Sequence, residues 1–199
     1  MSSVRTVLSL PRGRQARSRA ARAAVREHAL RLFLRDGYAP TTVELIAEVA
    51  GISRRTFFRY FPSKEDVVVP HAEDVALRIA DAYRGRPVSE PPLASLHAAL
   101  QPLIADHAHD PVRMRAILRL TADTPELRAR NKETQERWAR MLAAEVGARH
   151  PDRGPIFAEV AAVTALAAMN VGVGQWLARG GDLPRIVDEA FQSQMEALR

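Results

Sequence analysis

Gly51 sits between two short amphipathic runs, and that placement leaves residues 41–64, TTVELIAEVAGISRRTFFRYFPSK, very few ways to fold. Val43, Ile46, Ala47 and Ala50 recur at i, i+3, i+4 and i+7, one face of a helix. Thr41 with Glu44 three residues later reads as a capping box opening that helix. Ala47 is small where a second helix would have to cross. Gly51 stands where the chain must turn left-handed, which only glycine does cheaply. Ser53 is placed as the N-cap of a second helix running to about Arg59, with Phe57 as its inward anchor. Pro62 ends that segment. Ser63 then caps a further helix whose first turn carries Glu65 and Asp66, favourable at a positive helix end.

Two helices joined by a tight turn make a helix-turn-helix. The second helix presents Arg54, Arg55 and Thr56 in its first turns, the part of a recognition helix that reaches base edges in the major groove. Arginine can grip guanine O6 and N7 with two hydrogen bonds, and a threonine methyl can pack on thymine. Successive helical positions diverge by about 100°, so Arg54 and Arg55 are not expected to share a base. Tyr60 and Lys64 follow where the chain would meet the sugar-phosphate backbone, Lys64 beside a helix N-terminus. The alternative is a generic helical hairpin with a solvated basic face.

At these residues the chain resembles the DNA-binding domain of the TetR family of transcriptional regulators. The run SRRTFFRYFPSKEDVV carries the resemblance, together with the preceding helix, residues 22–35, and the connection GYAPTTV at 37–43. The resemblance implies DNA-facing roles for Thr42, Ser53, Arg54, Arg55, Thr56, Tyr60 and Lys64. Many relatives carry tyrosine at the position of Phe58, where the phenol contacts phosphate. Phe58 has no hydroxyl and is not counted as a polar contact.

The charge distribution points the same way. Residues 1–64 hold 13 Lys/Arg against 4 Asp/Glu, and residues 65–199 hold 16 against 19. A basic head on a slightly acidic body is an electrostatic footprint for nucleic acid. Of the 29 basic residues all but Lys64 and Lys132 are arginine, which limits what any single arginine signifies. With no cysteine there is no disulfide, thiolate zinc site or thiol redox sensor. No apolar run is expected to reach a membrane span, and no apolar signal-peptide core stands near the N-terminus. A cytoplasmic protein with no membrane partner is expected.

In chain order, residues 1–16 read as a disordered basic arm, either lying along DNA or merely solvated. A first helix, residues 17–35, has an inward stripe of Ala21, Val25, Ala29, Leu32 and Phe33. Residues 66–83 read as a fourth helix, with Pro70 kinking it near its start. GRPVSEPP at 85–92 is a breaker-rich loop. Helices are then expected over residues 93–109, 112–122, 125–149, 156–178 and 183–198. The fold class is all-α with about nine helices. The division is an arm at 1–16, a helix-turn-helix domain at 17–65, and a helical ligand-binding and dimerisation domain at 66–199. That is also the architecture the resemblance implies.

Ala161, Ala165, Ala168 and Gly172 step by 4, 3 and 4 along one face, and Ile186 and Ala190 offer a comparable face on the last helix. The resemblance implies a homodimer through the last two long helices; the stripe could instead pack within its own subunit. Candidate lining for a small apolar ligand is Met114, Leu118, Trp138, Met141, Leu142, Phe157, Met169, Asn170 and Trp176, each also readable as plain core. Residues 113–146 resemble body domains of TetR regulators that respond to acyl-CoA-like ligands, whose phosphates Arg113, Arg115, Arg119 or Arg128 could meet. Gly172-Val173-Gly174 has no preceding strand and is no nucleotide loop. His107 and His109 face opposite sides of a helix and suit no metal site. No metal, cofactor or catalytic constellation is expected.

The function expected is a ligand-responsive regulator, a repressor, binding a palindromic double-stranded operator as a homodimer and released by an apolar effector. Two other readings are an architectural DNA-binding protein without effector and a helical enzyme with an incidental hairpin. No residue pattern favours the enzyme.

Overall fold

The structure, a computed structural model, describes residues 12–69 and 72–197. Helices account for every regular element among them. The chain divides into two compact units, Met1–Val68 and Val69–Arg199.

The first unit holds α1 (Arg12–Asp36), α2 (Val43–Val49), α3 (Arg54–Tyr60) and α4 (Glu65–Val68). Helix α1 begins earlier than expected, so residues 12–16 are helical and the rest of the expected arm lies outside the described residues. Its stripe Val25, Ala29, Leu30, Leu32 and Phe33 is buried, and these side chains form the unit's core with Tyr38, Ile46, Phe57 and Phe61. Gly37 ends α1 at φ 92°.

A single fourth helix was expected over residues 66–83. There are two instead, α4 and α5 (Ala72–Arg84). Val69 precedes a proline, and the residue before proline is pushed away from helical backbone by the pyrrolidine ring. The kink expected at Pro70 lies outside the described residues. This division gives ten α-helices among the described residues where about nine were expected.

The second unit continues with α6 (Pro92–Ala108), α7 (Pro111–Asp123), α8 (Pro125–Arg149), a 3-10 turn (Pro151–Arg153), α9 (Gly154–Arg179) and α10 (Leu183–Ala197). Proline opens α6, α7 and α8, where its missing N–H costs nothing. Asp110 caps α7 through the Arg113 N–H at 3.1 Å, and Asp182 caps α10 through Arg185 N–H at 2.9 Å. Helix α9 is central, packed on α8, α10 and α6.

Residues 151–179 are long and apolar enough to cross a membrane, which corrects the expectation that no run would reach that limit. Much of that apolarity is used in packing. Ala158, Ala162, Ala165, Leu166, Met169, Gly172 and Trp176 are buried against neighbouring helices of the same unit. A Cβ on Gly172 would meet the Val187 backbone Cα at 2.8 Å, so glycine sets how closely α10 approaches α9. Relief would require moving a backbone, not turning a side chain. Gly172→Ala should therefore destabilise the fold by about 1–3 kcal/mol, the usual cost of overpacking, read as a lower denaturant midpoint. An unchanged midpoint would show that the two helices are not held at this distance.

Candidate nucleic-acid interface

Helix α2 is capped by Thr42, whose hydroxyl accepts from the Leu45 N–H at 3.1 Å. This corrects the capping box expected at Thr41 and Glu44. Thr41 is fully buried and its hydroxyl donates instead to Gly37 O at 2.7 Å, which ties the start of α2 to the end of α1. Glu44, displaced from that role, lies exposed in the first turn.

The C-terminus of α2 closes by two backbone bonds. Ile52 N–H donates to Ala47 O at 2.9 Å and Gly51 N–H to Glu48 O at 3.0 Å. This is the paired closure that a left-handed residue makes possible, and Gly51 has φ 64°. The chain is thereby reversed within three residues. Ser53 then caps α3, its hydroxyl oxygen accepting from the Thr56 N–H at 3.1 Å and its proton going to Thr56 Oγ1 at 3.0 Å. Phe57 is fully buried, against Phe61 at 5.5 Å and the edge of Phe58 at 5.5 Å. With Phe57 inward, Arg54, Arg55 and Phe58 point to solvent. Arg55 is exposed and carries no ion pair among the described residues. Tyr60 is half-buried under the Arg59 guanidinium, 5.2 Å from its ring.

Lys64 differs most from its sequence reading. Its ammonium donates to Tyr38 O at 3.0 Å and Thr41 O at 3.1 Å, and lies 3.9 Å from the Tyr38 ring centroid. It therefore binds the α1–α2 connection to the start of α4, an internal role invisible in a motif. The Tyr38 hydroxyl donates to Glu65 Oε1. Burial raises the Glu65 carboxyl, but that bond, its own backbone N–H, Ser63 and the Lys64 charge outweigh burial and hold it below its ordinary value. The reciprocal cap occurs here: Asp66 accepts from the Ser63 N–H and hydroxyl, both at 2.9 Å. Arg26 of α1 reaches Val68 O at 3.1 Å, satisfying the end of α4.

Residues 25–69 match the family model described as bacterial regulatory proteins, tetR family, and residues 90–199 match the MftR C-terminal domain. The HTH-type transcriptional regulator TcmR of Streptomyces glaucescens is 32% identical over 208 residues, covering 99% of this chain and 91% of TcmR. The chain belongs to the TetR family. It is accordingly a DNA-binding transcriptional regulator. Its fold resembles a SmeT–triclosan complex at TM-score 0.65, with 18% identity over 89% of this chain and 91% of that one. It also resembles Thermus thermophilus FadR in complex with lauroyl-CoA at TM-score 0.58, with 21% identity over 89% and 95%.

In this TetR-family chain the other predicted residues are distributed as follows. Trp138, Leu142, Met169 and Trp176 are buried core, with Met114, Leu118, Met141 and Phe157 packed against them. Asn170 does not join them. It is exposed on α9 and exchanges amide hydrogen bonds with Gln135 of α8 at 2.7 and 3.1 Å. The described cavities lie elsewhere. A groove of about 560 Å³ between α8 and α9 is lined by Ala139, Arg140, Ala143, Ala158 and Val163 among others. One of about 240 Å³ between α5 and α6 is lined by Ile79, Ala99 and Leu103 among others. Arg115 donates to Trp176 O at 2.6 Å and stacks on the Trp176 ring at 4.9 Å. Arg119 donates to Leu177 O at 3.3 Å, and Arg128 to Ala122 O at 2.8 Å. These guanidiniums satisfy helix C-terminal carbonyls.

The stripe expected at a dimer seam is largely internal. Ala165, Ala168 and Gly172 are buried within one chain and Ala161 is half-buried. The exposed apolar face lies about a third of a turn away: Ile156, Val160, Val163, Ala167, Val171, Gly174 and Ala178. Ile186 and Ala190 border it, lining a groove with Val171. Both faces of α9 are rich in small residues, so spacing alone could not separate them.

Lys64→Ala should lower stability without DNA by about 2 kcal/mol, through loss of charge-assisted bonds to two carbonyls. Denaturant unfolding of the full chain checks this. An unshifted midpoint would mean that the ammonium is solvated, not engaged.

Proposed function

We propose that the chain is a homodimeric repressor whose two heads read the half-sites of a palindromic operator and are released by a small apolar effector. The observation that carries this reading is the capped first turn of α3, which offers Arg54 and Arg55 on the solvent side of a helix anchored by Phe57, with half-buried Thr56 beside them. Thr42 and Ser53 use their hydroxyl oxygens as caps; a hydroxyl proton suits a phosphate contact, which Ser53 would make by turning its own away from Thr56 Oγ1. Tyr60 and Lys64 are assigned to the flanking backbone, with Lys64 also holding the head together.

Two heads are needed because one short recognition helix reads few base pairs, and a two-fold dimer matches a two-fold operator. The unpartnered stripe Ile156–Val160–Val163–Ala167–Val171 supports the seam, with Ile186 and Ala190 beside it. An effector entering among Met114, Leu118, Trp138, Met141, Phe157, Met169 and Trp176 would have to favour an expanded body, because these side chains are already packed. Release requires only that the effector bind this expanded state better than the operator-competent one. FadR is bound to lauroyl-CoA and SmeT to triclosan in the similar structures. A charged thioester and a neutral aromatic are therefore the informative probes.

Fluorescence anisotropy on the duplex upstream of its own gene, against scrambled DNA at physiological salt, tests this. The result expected is specific binding released by one of the two probes. Specific binding indifferent to both probes would count against these effector classes while keeping the regulator, and equal, weak binding to both duplexes would favour an architectural role.

The seam has its own test. Val160→Glu with Val163→Glu should leave stability nearly unchanged, since both sites are exposed, yet convert the dimer to monomer by sedimentation and abolish operator binding at concentrations that saturate wild type. A double variant still dimeric would place the seam elsewhere.

A further inference from the structure

The first arginine of α3 is held in place. Arg54 Nε lies 2.9 Å from Glu44 Oε1 of α2. Its guanidinium also lies over the Phe58 ring, 5.2 Å from the centroid. Phe58 in turn stands edge-on against buried Phe57. The platform is thus anchored in the head's core, although Phe58 itself is 40% exposed.

This pair does little for stability. The Arg54 and Glu44 side chains are 67% and 63% exposed, and exposed ion pairs contribute little. Nor does it add to general attraction for DNA, because a carboxylate on a strongly basic head opposes the phosphate field. What it does supply is orientation. Guanine is read by two guanidinium N–H groups in one plane. With Nε 2.9 Å from the Glu44 carboxylate and the guanidinium carbon over Phe58, the head of the side chain is restrained from two sides, and neither Nη carries a hydrogen bond among the described residues. Pre-organisation of this kind reduces the rotamer freedom lost on binding.

We infer that Glu44 is a positioning residue for base specificity: with Phe58 it holds Arg54 so that its Nη edge meets guanine in the major groove. This rests on the operator-binding reading above. It also gives Phe58 a use that needs no hydroxyl, as the surface on which Arg54 lies.

The test is a base-pair scan. Wild type, Glu44→Ala, Glu44→Gln, Arg54→Ala and the double variant Glu44→Ala/Arg54→Ala are titrated against the operator and all its single base-pair substitutions. Denaturation midpoints serve as the folding control. Wild type should discriminate by about tenfold or more at one G·C pair per half-site, the range for a bidentate contact. Arg54→Ala should flatten the profile at that pair alone. Glu44→Ala should flatten it at the same pair, the double variant should be no flatter than Arg54→Ala, and Glu44→Gln, which keeps an acceptor oxygen, should restore most of the preference.

Uniformly tighter binding by Glu44→Ala with the profile intact would overturn the inference and reduce Glu44 to a repulsive charge. Flattening at a different pair from Arg54→Ala would also overturn it, because Glu44 would then read a base itself. A wild-type profile flat at every position would instead overturn operator reading as such.

Discussion

Across Gly51, the Ile52 N–H reaches back to Ala47 O and the Gly51 N–H to Glu48 O, and the geometry of the head follows from those two bonds. They end α2 and release the chain in a left-handed step. Two residues on, Ser53 is then placed to cap α3. Because the cap fixes where α3 starts, the burial of Phe57 fixes its rotation. Arg54, Arg55 and Phe58 are consequently outward. Each takes the direction left by an anchor one to three residues away, and Arg54 has the Glu44 carboxylate of α2 beside it as well.

Lys64 extends that logic to the frame around the hairpin. An ammonium on two carbonyls and an aromatic face closes the α1–α2 connection onto α4. Asp66 closes α4 onto Ser63. The Lys64 bonds join segments 23 and 26 residues apart in sequence. The recognition helix is thus braced by polar contacts at its exit as well as by phenylalanines beneath it.

Local signals in the sequence were readable to the extent that their physics is local. The Gly51 turn, the Ser53 cap, the Phe57 anchor and the Ser63 start each depend on neighbours within about four residues. Thr41 and Thr42 show the limit of that reading, since two adjacent hydroxyls compete for one cap and only tertiary packing decides that Thr41 goes inward. The pairing of Glu44 with Arg54 and the seat of Lys64 depend on how helices meet, so no motif carries them. In the body the difficulty is of another kind. Helix α9 is small and apolar on two faces, one filled by α10 at Gly172 and one left exposed from Ile156 to Ala178. A period of 3.6 identifies a stripe without identifying its partner. The pairing of Asn170 with Gln135 is hidden for the same reason, since it depends on a different helix.

The abundance of arginine, uninformative in the sequence, becomes selective in three dimensions. Arg115 and Arg119 are spent on the carbonyls that end α9, Arg128 on the end of α7, Arg149 on Tyr83 O, and Arg26 on Val68 O. A guanidinium suits this task because it donates in a fixed plane and never deprotonates. Others pair with acids, as Arg84 does with Glu145 and Arg86 with Glu90, whose carboxyl is held down to about 2 by the Arg86 and Ser95 hydrogen bonds. The chain's high isoelectric point therefore overstates its reach toward DNA. Each guanidinium already bound to a carbonyl must surrender that bond before it can bind phosphate, whether of DNA or of an effector. Among the described residues Arg55 has no such bond to surrender, and Arg54 has only the exposed carboxylate of Glu44 beside its Nε. Under the proposed operator reading, affinity for nucleic acid would be concentrated at the start of α3 and low over the body, where indiscriminate binding would compete with the operator.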